Sequence, residues 1–237
     1  METGQRGASR RDMEDLSDIY EVSPAERQRL IELAAAGKRL AHWQPFAVPY
    51  ATYVGLEAEA GSISDFGLGL IPGLLQTPDY ARAVIRANIP HRSPELVDQL
   101  VDGRVARQRL LTAENGPAFA AVLDIAVLHR VVGGRAVMRA QLKHLLEVSE
   151  LDNVTVRVIP FGAGALPVPN NKFIILSYAG DVMSDVIFVE GLTGDLYLER
   201  EEDITVYNDA FRALLGIAYS AQETRATISS LLKTYQL

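Results

Sequence analysis

With 237 residues, 48% of them hydrophobic and 22% charged, the chain has enough apolar side chain for a sizeable core and lacks the composition of a disordered protein. It contains no cysteine, which excludes disulfides, thiolate nucleophiles and cysteine-ligated metal or cluster sites. A net charge of −7 argues against broad affinity for nucleic acid, which depends on cations displacing counterions along phosphates. No apolar run approaches the ~18 residues of a membrane helix and the charged N-terminus has no signal-peptide core, so no membrane association and a cytoplasmic location are expected.

Ser9, with Asp12 three residues on, predicts a capped helix to Tyr20 carrying Met13, Leu16 and Ile19 on one face. Ser23-Pro24-Ala25-Glu26 predicts a second helix, which Gly37 ends. His42 to Pro49 reads as a proline-broken aromatic linker, and a helix from about Tyr50 to Ile63 then turns Tyr53, Leu56, Ala60 and Ile63 inward, with Glu57 and Glu59 flanking. The apolar run Leu70-Ile71 breaks at Pro72-Gly73 and resumes as Leu74-Leu75. Thr77-Pro78-Asp79 then opens a helix with a capping oxygen, a first-turn proline and an acid against the dipole, and Tyr80, Val84 and Ala87 form its stripe.

A helix from Ser93 to about Thr112 places Leu100, Arg104, Arg107 and Leu111 on one face. Two arginines on an apolar stripe are the most unusual feature of the sequence. An unpaired buried charge costs roughly several kcal/mol, so each guanidinium needs a carboxylate or carbonyls. One reading is an ion pair with Asp124, Glu57 or Glu190; the other is a clamp for an anion or carbonyl in a pocket, which suits the planar fork of arginine.

Ala118 to Leu123 predicts a buried strand ended by Asp124, which caps a helix from Ile125 to Val131. Gly133-Gly134 separates it from a helix over Arg135 to Glu150 with Met138, Leu142 and Leu145 inward. The period then becomes two: Val154, Val156 and Val158 mark a half-buried strand, followed by a long loop from Phe161 to Asn171. Phe173 to Tyr178, Val186 to Glu190 and Asp195 to Leu198 predict three more strands, and helices from Glu199 to Tyr219 and Ala221 to Tyr235 close the chain. The expected fold is α+β, with about five mostly antiparallel strands and helices packed on them.

Catalytic motifs are largely missing. His42, His91, His129 and His144 are too far apart to read as a metal site; no Gly-x-Ser-x-Gly elbow occurs; Gly67-x-Gly69 and Gly162-x-Gly164 lack the third glycine of a nucleotide loop. Neither a metal nor a cofactor is expected.

Several segments together carry a family resemblance: Leu70 to Val84, Arg104-x-x-Arg107-Gln108, Val122-Leu123-Asp124-x-Ala126-Val127-Leu128, Val132-Gly133-Gly134, Ile159 to Gly164, and Val189-Glu190 followed by Gly194-x-Leu196-Tyr197-Leu198-Glu199. In order and spacing they resemble the C-terminal effector domain of actinobacterial XRE-type helix-turn-helix regulators, often described as antitoxin-like. The resemblance implies that residues 1–42 are a truncated helix-turn-helix remnant, in which Glu2 to Arg6 resembles the loop after the recognition helix, and that residues 43–237 are an α+β effector-like domain. DNA binding is then expected only if the missing helices are encoded upstream of Met1.

The function so implied is a regulator-derived ligand- or partner-binding domain, with Arg104, Arg107, Asp124, Glu190, Tyr53, Tyr80 and Tyr178 as candidate ligand-binding residues. Relatives in the resembled family carry an acid where Ile125 stands and often a histidine where Leu166 stands, which implies a greasier pocket here and an apolar small molecule as ligand. The alternative is a cofactor-independent natural-product biosynthetic enzyme, a cyclase or isomerase, recruited from such a regulator and relying on shape and a few hydrogen bonds. The terminal helices offer a homodimer surface as a third option.

Overall fold

The computed structural model describes residues 9–41, 51–169, 171–180 and 183–235. The Glu2–Arg6 loop and the aromatic linker at 42–49 lie outside the described residues. Helix α1 (Arg10–Ile19) opens on the expected capping box, in which Ser9 Oγ accepts from the Asp12 N–H and the Asp12 carboxylate accepts from the Ser9 N–H. Helix α2 (Pro24–Ala41) follows and runs on through Gly37, where it was expected to end, with Ser23 Oγ accepting from the Glu26 N–H at 3.3 Å. No helix among the described residues is long and apolar enough to cross a membrane.

Helix α3 (Ala51–Glu59) is shorter than its periodicity predicts, because Gly61 leaves it for a sheet: the Gly61 N–H donates to Ser177 O at 2.8 Å and its carbonyl accepts from the Ala118 N–H at 3.0 Å. The residues expected to end that helix instead begin strand β1 (Ser62–Gly67), the one strand among the described residues that was missed outright. Ser62, Ser64 and Asp65 give it no apolar alternation, so only its neighbours identify it as a strand.

The remaining elements are α4 (Pro78–Asn88), α5 (Pro94–Arg107), β2 (Ala118–Asp124), α6 (Ala126–His129), α7 (Arg135–Val148), β3 (Val154–Ile159), β4 (Phe173–Ser177), β5 (Val186–Val189), β6 (Leu196–Leu198), α8 (Glu201–Ile217) and α9 (Ala221–Thr234). The largest shortfalls are in α5, which gives way to a 3-10 turn over Gln108–Thr112, and in α6, which is a single turn.

The class is α+β as expected, but the sheet has six strands rather than five, in the order β3-β2-β1-β4-β5-β6. The pairs β1–β4, β4–β5 and β5–β6 are antiparallel, whereas β1–β2 and β2–β3 are parallel. The parallel half follows from the long helical crossovers, α4 and α5 after β1 and α6 and α7 after β2, since parallel neighbours need a connection of a dozen or more residues.

One face of the sheet packs under α3, α4, α7 and α9 through Ile63, Leu123, Val156, Leu176 and Phe188 against Tyr53, Tyr80, Leu142 and Ile228. The other packs Phe66, Val122, Ile175 and Ile187 on Phe211 and Leu214 of α8. Register fixes one consequential row on the first face: Tyr197, Phe188, Ile174, Asp65, Ala121 and Val156 lie side by side from β6 to β3. A single carboxylate stands in the middle of that otherwise uncharged row.

Candidate functional site

A cleft of about 90 Å³ opens over this row. A water needs ~10–15 Å³ of such space, so the cleft has room for a small ligand or the head group of a larger one. Its apolar wall is Leu70, Ile71 and Leu74 from the turn before α4, Val84 from α4, Ile174 from β4 and Phe188 from β5. Its polar wall carries Tyr53 and Glu57 of α3, Asp65 of β1, Arg104 and Arg107 of α5, and Lys172 and Glu190 beside the ends of β4 and β5.

Arg107 is explained by Glu57. Its Nε and Nη2 donate to Glu57 Oε2 and Oε1, both at 2.7 Å, and Tyr53 Oη donates to Glu57 Oε1 at 2.5 Å. The guanidinium also lies over the Tyr53 ring, 5.2 Å from its centroid. Burial opposes the charge on Arg107, but the Glu57 carboxylate outweighs it and raises the arginine pKa. Burial, then Glu57, pushes the Tyr53 phenol well above its usual range, so it remains a donor. These three side chains form a closed structural triad at the wall of the cleft. The ion-pair reading of Arg107 is therefore the one observed, with Glu57 as the partner.

Arg104 serves the turn instead. Its Nη1 donates to Gln76 Oε1 at 2.9 Å, while Gln76 Nε2 donates to Ile71 O at 2.6 Å. Gln108 Nε2 donates to Gly73 O and Gln76 O, and Gln141 of α7 donates to Leu75 O at 2.6 Å and accepts from the Thr77 N–H at 2.7 Å. Three glutamines thus satisfy backbone groups of a buried turn that its own 3-10 bonds leave open. Replacing Gln141 by Leu strands one N–H and one C=O, and we expect a loss of about 2–4 kcal/mol in urea unfolding with the m-value unchanged.

Asp65 is different. It is 4% exposed, and its Oδ1 is buried with no hydrogen-bond partner among the described residues. Burial pushes its pKa from 3.8 up to about 6; Lys172 opposes the shift through its field, Glu57 and Glu190 add to it, and Arg107 opposes it. Lys172 makes its ion pair with Glu190, at 3.6 Å.

Of the residues expected from sequence to bind a ligand, Arg104, Arg107, Glu190 and Tyr53 line the cleft, and three do not. Tyr80 is fully buried, its hydroxyl accepting from the Ile71 N–H at 3.3 Å, which holds the turn from behind. Asp124 accepts from the Ala126 N–H at 2.7 Å and caps the turn after β2, as its sequence context predicts. Tyr178 donates to Leu56 O at 3.1 Å and ties β4 to α3; burial, then Asp185, raises its pKa. Ile125 and Leu166 belong to the cores on opposite faces of the sheet and line no part of the cleft, so their apolar character says nothing about a ligand there. Asp65, Gln76 and Lys172 were not legible as site residues, since no local pattern marks any of them. Among the described residues, no group of three or more histidines and acids could hold a metal ion.

One family model matches the chain, over residues 50–230, and its description is Domain of unknown function (DUF5753). No curated protein matches the chain, and no solved structure does.

Proposed function

Since the chain belongs to the DUF5753 family, whose description names no activity, we propose from the cleft itself that this is a ligand-binding domain of a transcriptional regulator. The observation that carries the reading is Asp65: a carboxylate in the middle of an uncharged row, buried, without a partner at Oδ1, and in the lining of a space of ligand size. Such a group costs stability and contributes none, which is the mark of a side chain kept for something it binds. The resemblance to XRE-type regulators supplies the regulatory role. A route for the signal exists in the glutamine-clamped turn, since a ligand touching Ile71 and Leu74 bears on a segment held by α5 and α7.

The test is retention of a small molecule. Native mass spectrometry of the chain, purified gently from cells, is expected to show a bound small molecule that Asp65→Asn no longer retains. Identical spectra for both proteins, followed by no thermal shift of either in fractionated cell extract, would remove the proposal. Gel shifts of an intact regulator carrying this domain should change on adding the retained molecule.

A second reading, an enzyme performing a cyclisation or isomerisation, draws on the same residue. A carboxyl group with a pKa of about 6 exchanges protons readily near neutral pH. Recovering the retained molecule chemically altered after incubation with wild type, and unaltered with Asp65→Asn, would favour the enzyme over the sensor.

A further inference from the structure

We infer that the cleft takes the protonated nitrogen of a small amine, held by the buried carboxylate of Asp65, with Ile71, Ile174 and Phe188 receiving its hydrocarbon part. The inference rests on the ligand-binding reading above and names the class of ligand.

The carboxylates around the cleft lead to it. Glu57 is matched by the two-pronged contact from Arg107. Glu190 has Lys172 at 3.6 Å. Asp65 is the remaining acid of the lining, and no cation of the described residues is in ion-pair contact with it; Lys172 and Arg107 reach it only through their fields. What Asp65 lacks is therefore a donor, and a positive one: a neutral hydroxyl would fill the lone pair and leave the charge uncompensated, whereas an ammonium fills the lone pair and compensates the charge. An anion would instead meet unpartnered carboxylate lone pairs. Ile174 adjoins Asp65 in the same row and Phe188 lies one strand further on, so a short alkyl or aryl group attached to the nitrogen has an apolar surface to lie on.

The probes are n-butylammonium, n-butanol and butyrate, alike in size and shape and differing in charge. Each is titrated into the full chain at pH 7.5 while the backbone amides of Asp65, Ile71, Ile174 and Phe188 are followed by NMR. Butylammonium is expected to saturate these shifts at roughly millimolar concentration, about tenfold more tightly than butanol, with butyrate weakest. Asp65→Asn should lower butylammonium affinity about tenfold and leave butanol unchanged, while Asp124→Asn, outside the cleft, should affect neither. Binding of the ammonium should also weaken on acidification through about pH 6, as Asp65 takes up a proton among Lys172, Glu57, Glu190 and Arg107. Butanol or butyrate saturating the same amides as tightly as butylammonium, or ammonium binding indifferent to Asp65→Asn, overturns the amine assignment and leaves a ligand site standing. Failure of all three probes to shift these amides in a folded protein overturns the ligand-site reading as well.

Discussion

Arg107→Ala is expected to destabilise the protein by about 3–5 kcal/mol, because it leaves the Glu57 carboxylate buried without its cation. The pair is well enclosed, with side-chain exposures of 13% for Arg107 and 2% for Glu57, so solvent cannot replace the lost partner. At 237 residues a loss of that size lowers the melting temperature by roughly 6–20 °C. The loss of the cation over the Tyr53 ring adds to it. A double variant separates stranded charge from lost contact. Glu57→Gln with Arg107→Met keeps an acceptor for the Tyr53 hydroxyl, fills the volume and removes both charges, so it should recover most of what Arg107→Ala loses. Calorimetry of the wild type, the single and the double variants measures this. A double variant as unstable as Arg107→Ala would mean that packing around the guanidinium, and not its charge, matters there.

The same arginine shows how far local sequence reaches. Its position on the stripe with Leu100 and Leu111 marks it as a buried charge needing an acid, and Glu57 was among the acids within reach of that argument. Helix starts were legible for the same local reason: the oxygens of Ser9, Thr77 and Ser93 accept from the N–H groups their spacing predicts. Asp65 was not legible, because its role depends on two distant strands. In sequence it follows a helical stripe and sits between Ser64 and Phe66, with no period to distinguish it. Only pairing with Ala121 on one side and Ile174 on the other turns it to the helix-covered face and seats it under Tyr53 and Glu57. Tyr80 and Asp124 differ in the opposite direction, since neither lines the cleft. Their polar atoms were open to a ligand role in sequence, but a neighbouring backbone N–H occupies each, from Ile71 and Ala126. The sheet likewise gained its parallel half from β1, whose polar residues hid a strand that its partners define.

Asp65→Asn should make the protein more stable at pH 7.5 and lose that advantage in acid. Burial raises the folded-state pKa from 3.8 to about 6, so between those values the native state holds a proton that the unfolded chain has released. Native protein then binds more protons than unfolded, and stability falls as pH rises through this window; above it the whole cost is present. A shift of about two units corresponds to roughly 3 kcal/mol at neutral pH, at 1.36 kcal/mol per unit. Asparagine removes the charge but brings an amide that itself needs partners, so a gain of about 1–2 kcal/mol is expected at pH 7.5. At pH 4 the wild-type carboxyl is protonated in the native state and the two proteins should melt at nearly the same temperature. Comparing the variant with the wild type at each pH cancels the other acids of the chain, which titrate in both. If Asp65→Asn is the less stable protein at both pH values, the carboxylate is being held rather than stranded, and the case for a ligand opposite it falls. If the expected convergence in acid is seen, the free energy that Asp65 costs the protein on its own is free energy that a bound cation returns. Butylammonium should then raise the melting temperature of the wild type at pH 7.5 and leave that of Asp65→Asn nearly unmoved.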